Sequence, residues 1–178
     1  MRRRILKLFC IPIKIICHIL FLYNHRIYMY FYLVYLKMLG CNIIGTPRYI
    51  GVHTKFDDLR LIEIGDKTTI SDECHLLTHD YSITNVMRAV GKEQETDISI
   101  IRGIKIGTNC FIGKKSIIMP NTEIGDNVII GAGSVVRGKI PANTIWIGNP
   151  AVLFSSVEEQ FIKWSKYLNI DCNKLRRD

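Results

Sequence analysis

The sequence has no acidic residue before Asp57, no cysteine pair at C-x-x-C spacing, no signal-peptide cleavage pattern and no twenty-residue apolar run free of charge. Each absence removes a class. The six cysteines (Cys10, Cys17, Cys41, Cys74, Cys110 and Cys172) are too scattered for a zinc ribbon or a disulfide framework, and a reducing cytoplasm suits them better. A membrane-crossing helix needs about 20 mostly apolar residues. In the Ile-, Leu-, Phe- and Tyr-rich stretch 5–39 that run is broken by Lys14, His18, Asn24, His25, Arg26 and Lys37, and Pro12 limits helix near its start. Two short helices joined near Asn24–His25 are expected instead. Residues 1–56 carry nine Lys or Arg and no acid, whereas 57–178 carry fifteen basic and sixteen acidic groups. The chain is therefore not a uniformly basic nucleic-acid binder, and no nucleic-acid partner is expected.

What is present is 178 residues, 48% hydrophobic and 22% charged, enough for one globular domain with a sizeable core. From residue 106 an aliphatic side chain returns every sixth position: Ile106, Ile112, Ile118, Ile124, Ile130 and Val136. Glycine follows four of the first five, as Gly107, Gly113, Gly125 and Gly131, with Met119 the exception. Four positions after each of those five aliphatics stands a small residue: Cys110, Ser116, Thr122, Val128 and Ser134. The column runs upstream through Ile64, Ile70 and Leu76. Ahead of a two-residue offset, it also runs through Ile44, Ile50 and Phe56 with Gly45 and Gly51. A period of six is neither helical nor simple strand alternation. It suits short strands joined by tight turns in which glycine takes backbone angles other residues resist. Three hexads close one triangular coil, and stacked coils bury a continuous Ile/Val column, which is a parallel β-helix.

These hexads, closed by Ile140-Pro141-Ala142-Asn143-Thr144 and then Gly148-Asn149-Pro150-Ala151, resemble the hexapeptide-repeat acyltransferases over about residues 41–152. The resemblance implies a left-handed coil, a homotrimer, and acetyl-CoA as donor with no metal required. The expected layout is a basic, apolar helical segment over 1–40, the all-β left-handed β-helix over 41–152, and a C-terminal helix and tail over 153–178. Ser156-Val157-Glu158-Glu159 reads as a capping box, with Phe161, Trp164 and Leu168 on one face set to pack on the solenoid or a neighbouring subunit.

The hexads break between Leu76 and Ile104, and a loop over 78–103 opens Thr78-His79-Asp80-Tyr81-Ser82. Such excursions from a regular scaffold usually carry function. The string is similar to that of the sugar O-acetyltransferases within the family, and the resemblance makes His79 the general base. Imidazole takes a proton readily near neutral pH. Without the string, a lone loop histidine is an ordinary surface residue. Asp57 resembles the family's acceptor-binding position, where it takes a hydrogen bond from a sugar hydroxyl or holds His79. Tyr81 completes the acceptor side. By position in the family, Phe111 lines the donor groove, the Lys114 backbone N–H faces the thioester oxygen, Ala132 faces the pantetheine, and Arg137 and Lys139 meet the CoA phosphates. Val152, Leu153 and Phe154 stand where relatives often place basic residues for the nucleotide end.

The expected activity is acetyl transfer to a sugar hydroxyl, on a precursor of a cell-surface polysaccharide or glycolipid. Within the family, N-acetylation of an amino sugar and serine acetylation are alternatives; the latter's Asp-His-Ala-Thr-Gly string is absent here, where Asp57-Asp58-Leu59-Arg60 stands. Outside it are a non-catalytic β-helix scaffold and a γ-type carbonic anhydrase-like zinc enzyme using His53, His75 and His79. In that last family the paired histidines stand five apart, not four as here. Arg2, Arg3 and Arg4 before Ile5, Leu6, Leu8 and Phe9 read either as an interfacial anchor at the inner face of a membrane or as part of a cap with solvated arginines. The expected location is cytoplasmic, with peripheral membrane contact through residues 1–39.

Overall fold

The structure, a computed structural model, describes residue 13 and residues 15–168. The Arg2–Arg4 cluster, Lys14, Cys10 and Cys172 lie outside the described residues. Helices α1 (residues 15–23) and α2 (His25–Met38) lead into a first coil of β1 (Asn42–Ile43), β2 (Tyr49–Ile50) and β3 (Lys55–Phe56). A 3-10 turn at Leu59–Leu61 absorbs the two-residue offset. The second coil is β4 (Ile62–Ile64), β5 (Thr69–Ile70) and β6 (His75–Leu76). An excursion follows, made of β7 (His79–Asp80), α3 (Ser82–Ala89) and β8 (Ile100–Ile101). The third coil is β9 (Ile104–Ile106), β10 (Phe111–Ile112) and β11 (Ile117–Ile118), and the fourth is β12 (Glu123–Ile124), β13 (Ile129–Ile130) and β14 (Val135–Val136). Strands β15 (Lys139–Ile140) and β16 (Thr144–Gly148) begin a fifth, β17 (Ala151–Ser156) folds back antiparallel on β16, and α4 (Val157–Leu168) follows.

The strands stack into three faces: sheet A (β1-β4-β9-β12-β15), sheet B (β2-β5-β10-β13-β16, edged by β17) and sheet C (β3-β6-β11-β14). Successive coils pair in parallel with their aliphatic columns aligned, as in Ile64 opposite Ile106 and Ile118 opposite Val136. Ile50, Ile64, Ile70, Leu76, Ile106, Ile112, Ile118, Ile130 and Val136 are buried almost completely. At about 1.5–3 kcal/mol for each fully buried side chain, this column is the main favourable term holding the coils together.

The small-residue column closes the corners. Thr68 Oγ1 donates to Gly107 O at 2.7 Å, Cys110 Sγ to Gly125 O at 3.0 Å and Ser116 Oγ to Gly131 O at 3.0 Å, so each short side chain satisfies a carbonyl one coil away. Burial raises the thiols of Cys17, Cys41, Cys74 and Cys110 above their ordinary range, Cys41 to about 12, which leaves them protonated and unreactive.

Two expectations need correction. Apart from Gly45, which has φ +67°, the glycine column does a different job from the turn angles expected of it. Left-handed backbone falls two residues later, at Lys67, Asn109, Asn127 and Asn143 between sheets A and B, at Glu73 and Lys115 between B and C, and at Asn121 between C and A. Asparagine tolerates that region, and Asn109, Asn127 and Asn143 also hydrogen-bond side chain to side chain at 2.9 Å. The glycines are required by close approach instead: a Cβ on Gly65 would lie 2.5 Å from the Gly107 carbonyl oxygen, and one on Gly113 2.7 Å from the Gly131 carbonyl carbon. Secondly, Ile44 is 51% exposed and not in the column, because β1 pairs with Ile43 opposite Ile64.

The expected break at Asn24–His25 is an N-cap: the Asn24 side chain accepts from the Arg26 and Ile27 N–H groups and starts α2. Helix α2 buries Tyr28, Met29, Tyr32 and Leu36 and caps the first coil, with the Tyr28 hydroxyl donating to Ile50 O at 2.6 Å. No helix among the described residues is long and apolar enough to cross a membrane. At the other end, Ser156 and Glu159 form the reciprocal capping box that starts α4. Phe161 and Trp164 are more than half exposed, so their face is not seated on this chain's own solenoid.

Candidate active site

The chain leaves the solenoid at the corner between sheets C and A. There β7 and β8 pair as an antiparallel ribbon, His79 opposite Ile101, with α3 carried at its far end. His79 is the first residue of the ribbon, its side chain 26% exposed. Asp57 lies one coil below on the same corner because Phe56 is in register with Leu76.

Thr78, fully buried, is the hub. Its N–H donates to Asp57 Oδ2 at 3.0 Å, its carbonyl accepts from the Arg102 N–H at 3.0 Å, and its Oγ1 accepts from the Asp58 N–H at 3.2 Å. The same Oγ1 stands 2.9 Å from His79 Nδ1, and Asp57 Oδ2 is 3.9 Å from that nitrogen. Both partners sit on the Nδ1 side of the ring. The string Thr78-His79 was legible in the sequence, but the hub role of Thr78 was not. It depends on which residue the next coil places beneath it.

Neighbouring groups fix the corner. Asp58 accepts from the Arg60 N–H and pairs with the Arg60 guanidinium through both carboxylate oxygens; hydrogen bonding to Arg60, against some cost of burial, holds its carboxyl at about 2. Asp80 turns away from His79 and accepts from the Ser82 N–H at 2.9 Å. Hydrogen bonding by the Ser82 side chain first, then by its backbone N–H, and last the charge of Arg137 lower its carboxyl below the ordinary value. Tyr81, 58% exposed, lies nearly parallel to the His79 ring at 6.4 Å.

The remaining sequence candidates divide between two corners. Phe111 faces outward from sheet B, and Lys114 and Ala132 stand on the corner between sheets B and C. The Lys114 carbonyl there accepts from Gly133 N–H at 2.8 Å, and its ammonium pairs with Glu73 at 3.3 Å. Arg137 instead follows β14 on the corner of His79, and Lys139 lies on sheet A, paired with Glu123 at 3.5 Å. Sheet C separates the two corners. Its face carries an open groove of about 540 Å³ lined by His53, Lys55, Glu73, His75, Lys115 and Ile117. Among the described residues no three His, Cys, Asp or Glu side chains converge as a metal site.

A parallel β-helix with a histidine-bearing excursion at one corner defines a class of protein. The sequence matches the bacterial transferase hexapeptide (six repeats) family over residues 103–138. Protein CapG of Staphylococcus aureus is 34% identical over 148 residues, covering 79% of this chain and 83% of that protein. Galactoside O-acetyltransferase of Escherichia coli K12 is 30% identical over 122 residues, covering 68% of this chain and 57% of that protein. The chain thus matches little more than half the length of that relative. Among solved structures, a maltose O-acetyltransferase from Clostridium difficile 630 superposes with a TM-score of 0.53 at 26% identity, over 68% of this chain and 72% of that one. The chain belongs to the hexapeptide-repeat transferase family, and its solenoid is the left-handed parallel β-helix of that family.

Proposed function

We propose that the protein is an O-acetyltransferase that moves the acetyl group of acetyl-CoA to a sugar hydroxyl, on a precursor of a cell-surface polysaccharide or glycolipid. The observation that carries this reading is the His79 ring with Nδ1 turned into Thr78 Oγ1 and the Asp57 carboxylate, at the mouth of an excursion from the coils. The carboxylate favours the tautomer with the proton on Nδ1, which leaves Nε2 as the acceptor a general base needs. The acceptor oxygen attacks the thioester carbonyl as its proton passes to His79 Nε2. The C–O bond forms, the C–S bond breaks, and the proton goes on to the CoA thiolate. The Lys114 backbone N–H stabilises the developing oxyanion, Ala132 and Phe111 border the donor, Tyr81 borders the acceptor, and Arg137 and Lys139 are the cations offered to the phosphates. The test is release of CoA thiol from acetyl-CoA against a panel of sugars, nucleotide sugars and amino acids. No release with any sugar, under conditions where the protein is folded, overturns the reading.

Asp57 positions His79 in this scheme. Asp57→Asn keeps an oxygen for the Thr78 N–H but removes the charge beside Nδ1, and it is expected to lower kcat about tenfold or more with little change in KM. A variant with unchanged kcat removes Asp57 from the mechanism.

The His79 corner and the Lys114–Ala132 corner of one chain lie on opposite edges of sheet C, which supports a homotrimer with each site built between two subunits. Sedimentation is expected to give three times the chain mass, and a stable monomer that still turns over sinks this assembly. The enzyme works at the cytoplasmic face of a membrane; the support is the run of nine basic residues without an acid in 1–56.

A further inference from the structure

Helix α2 caps the first coil with one face only. On the other, and along α1, Ile19, Leu22, Tyr23, Tyr30, Phe31 and Val34 are exposed, Leu22 and Tyr23 at 85%. Several large apolar side chains exposed on two consecutive helices mark a candidate contact site. Next to it runs a groove of about 730 Å³ between α2 and the β1–β2 turn, with Met29, Leu33 and Val34 along it and Arg26, Lys37 and Arg48 at its edge. All three cations are exposed, and among the described residues none is paired with a carboxylate. The nearby carboxylate of Asp66 accepts from the Thr46 N–H at 2.7 Å.

The spacing of these charges decides what they meet. Arg26 and Lys37 are three turns apart on one helix, about 16 Å along its axis. One phosphate cannot touch both, but an array of headgroups can. An acidic protein surface could match the charge, yet Tyr30, Leu33 and Val34 line the same groove as the three cations, the arrangement of a helix resting at a bilayer interface. We propose that the outer face of α1–α2 docks on an anionic bilayer, with Leu22, Tyr23, Tyr30 and Phe31 entering the acyl boundary and Arg26, Lys37 and Arg48 meeting separate lipid headgroups. This rests on the membrane reading above and assigns its surface to these helices, independently of the Arg2–Arg4 segment.

The test uses full-length protein and co-sedimentation with phosphatidylcholine vesicles, with and without phosphatidylglycerol. Wild type is expected to pellet with the anionic vesicles at low salt and not with the neutral ones. At about fivefold per cation, the variant R26Q/K37Q/R48Q is expected to bind about a hundredfold more weakly, and L22S/Y23S/F31S is expected to lose binding as well. Both variants are expected to keep the wild-type sedimentation mass and the wild-type rate of thiol release with a soluble acceptor. That last readout separates failure of this proposal from failure of the acetyltransferase reading. Wild-type protein that ignores anionic vesicles overturns the docking surface, and so do variants that bind like wild type. Variants that fall apart as assemblies, with no vesicle binding by wild type, show instead that the face belongs to a second copy of the chain.

Discussion

His79→Ala is expected to slow acetyl transfer by about a hundred- to ten-thousand-fold, the usual contribution of a positioned general base, while leaving the assembly and its thermal midpoint nearly unchanged. The asymmetry follows from where the ring sits. His79 lies at the root of a two-stranded ribbon outside the buried column, and the hydrogen bonds that lock the corner to the coil below belong to the Thr78 backbone and hydroxyl and not to the imidazole. Removing the ring takes away the proton acceptor and little else. His79→Gln is the sharper control, since its amide fills part of the space and keeps polar contact with Thr78 Oγ1 but cannot take up a proton. Both variants should retain donor binding, so the loss appears in kcat and not in KM for acetyl-CoA. Activity within a few-fold of wild type on the true acceptor would remove His79 from the mechanism.

The solenoid was legible because its physical cause is periodic: every sixth side chain must be aliphatic to fill the column. The departures arose where one residue answers to two constraints. At the first coil, Ile43 and Ile44 both satisfy an apolar pattern, and only the pairing of β1 with β4 decides that Ile43 faces the β4 column. The glycine column was visible, but its cause was not, because a close approach lies between coils and leaves no mark within one hexad. The site divides in the same way. His79 stood out through its neighbours in the chain. Its link to Asp57 passes through Thr78 and across a coil boundary that contains a 3-10 turn, so the register could not be counted along the sequence. For Arg137, the family resemblance implied a phosphate contact. The structure puts it on the corner of His79, close enough for its charge to act on Asp80.

The same inter-coil contact makes Gly113→Val the substitution expected to cost most stability outside the aliphatic column. Gly113 does not occupy the left-handed region, so its turn angle would admit a side chain. The obstacle is the fourth coil: the added Cβ would lie 2.7 Å from the Gly131 carbonyl carbon, and backbone there cannot move aside as a side chain can. The two coils are also tied together at this corner. Gly113 N–H donates to Ile130 O at 2.8 Å, Ser116 Oγ donates to Gly131 O, and Gly133 N–H donates to Lys114 O. Forcing them apart lengthens several bonds at once and strains the Lys114 segment next to Ala132. Overpacking of this kind costs about 1–3 kcal/mol, which for a chain of this size is a fall in Tm of roughly 2–12 °C. Gly133 is the matched control. It has φ +70° and nothing within 4 Å of where a Cβ would stand, so Gly133→Asn places a residue that accepts the left-handed region into open space and is expected to shift Tm by only a degree or two. If close approach were not what requires Gly113, Gly113→Val would unfold within a degree or two of wild type, as Gly133→Asn is expected to do. Thermal unfolding of the two variants side by side reads the difference directly.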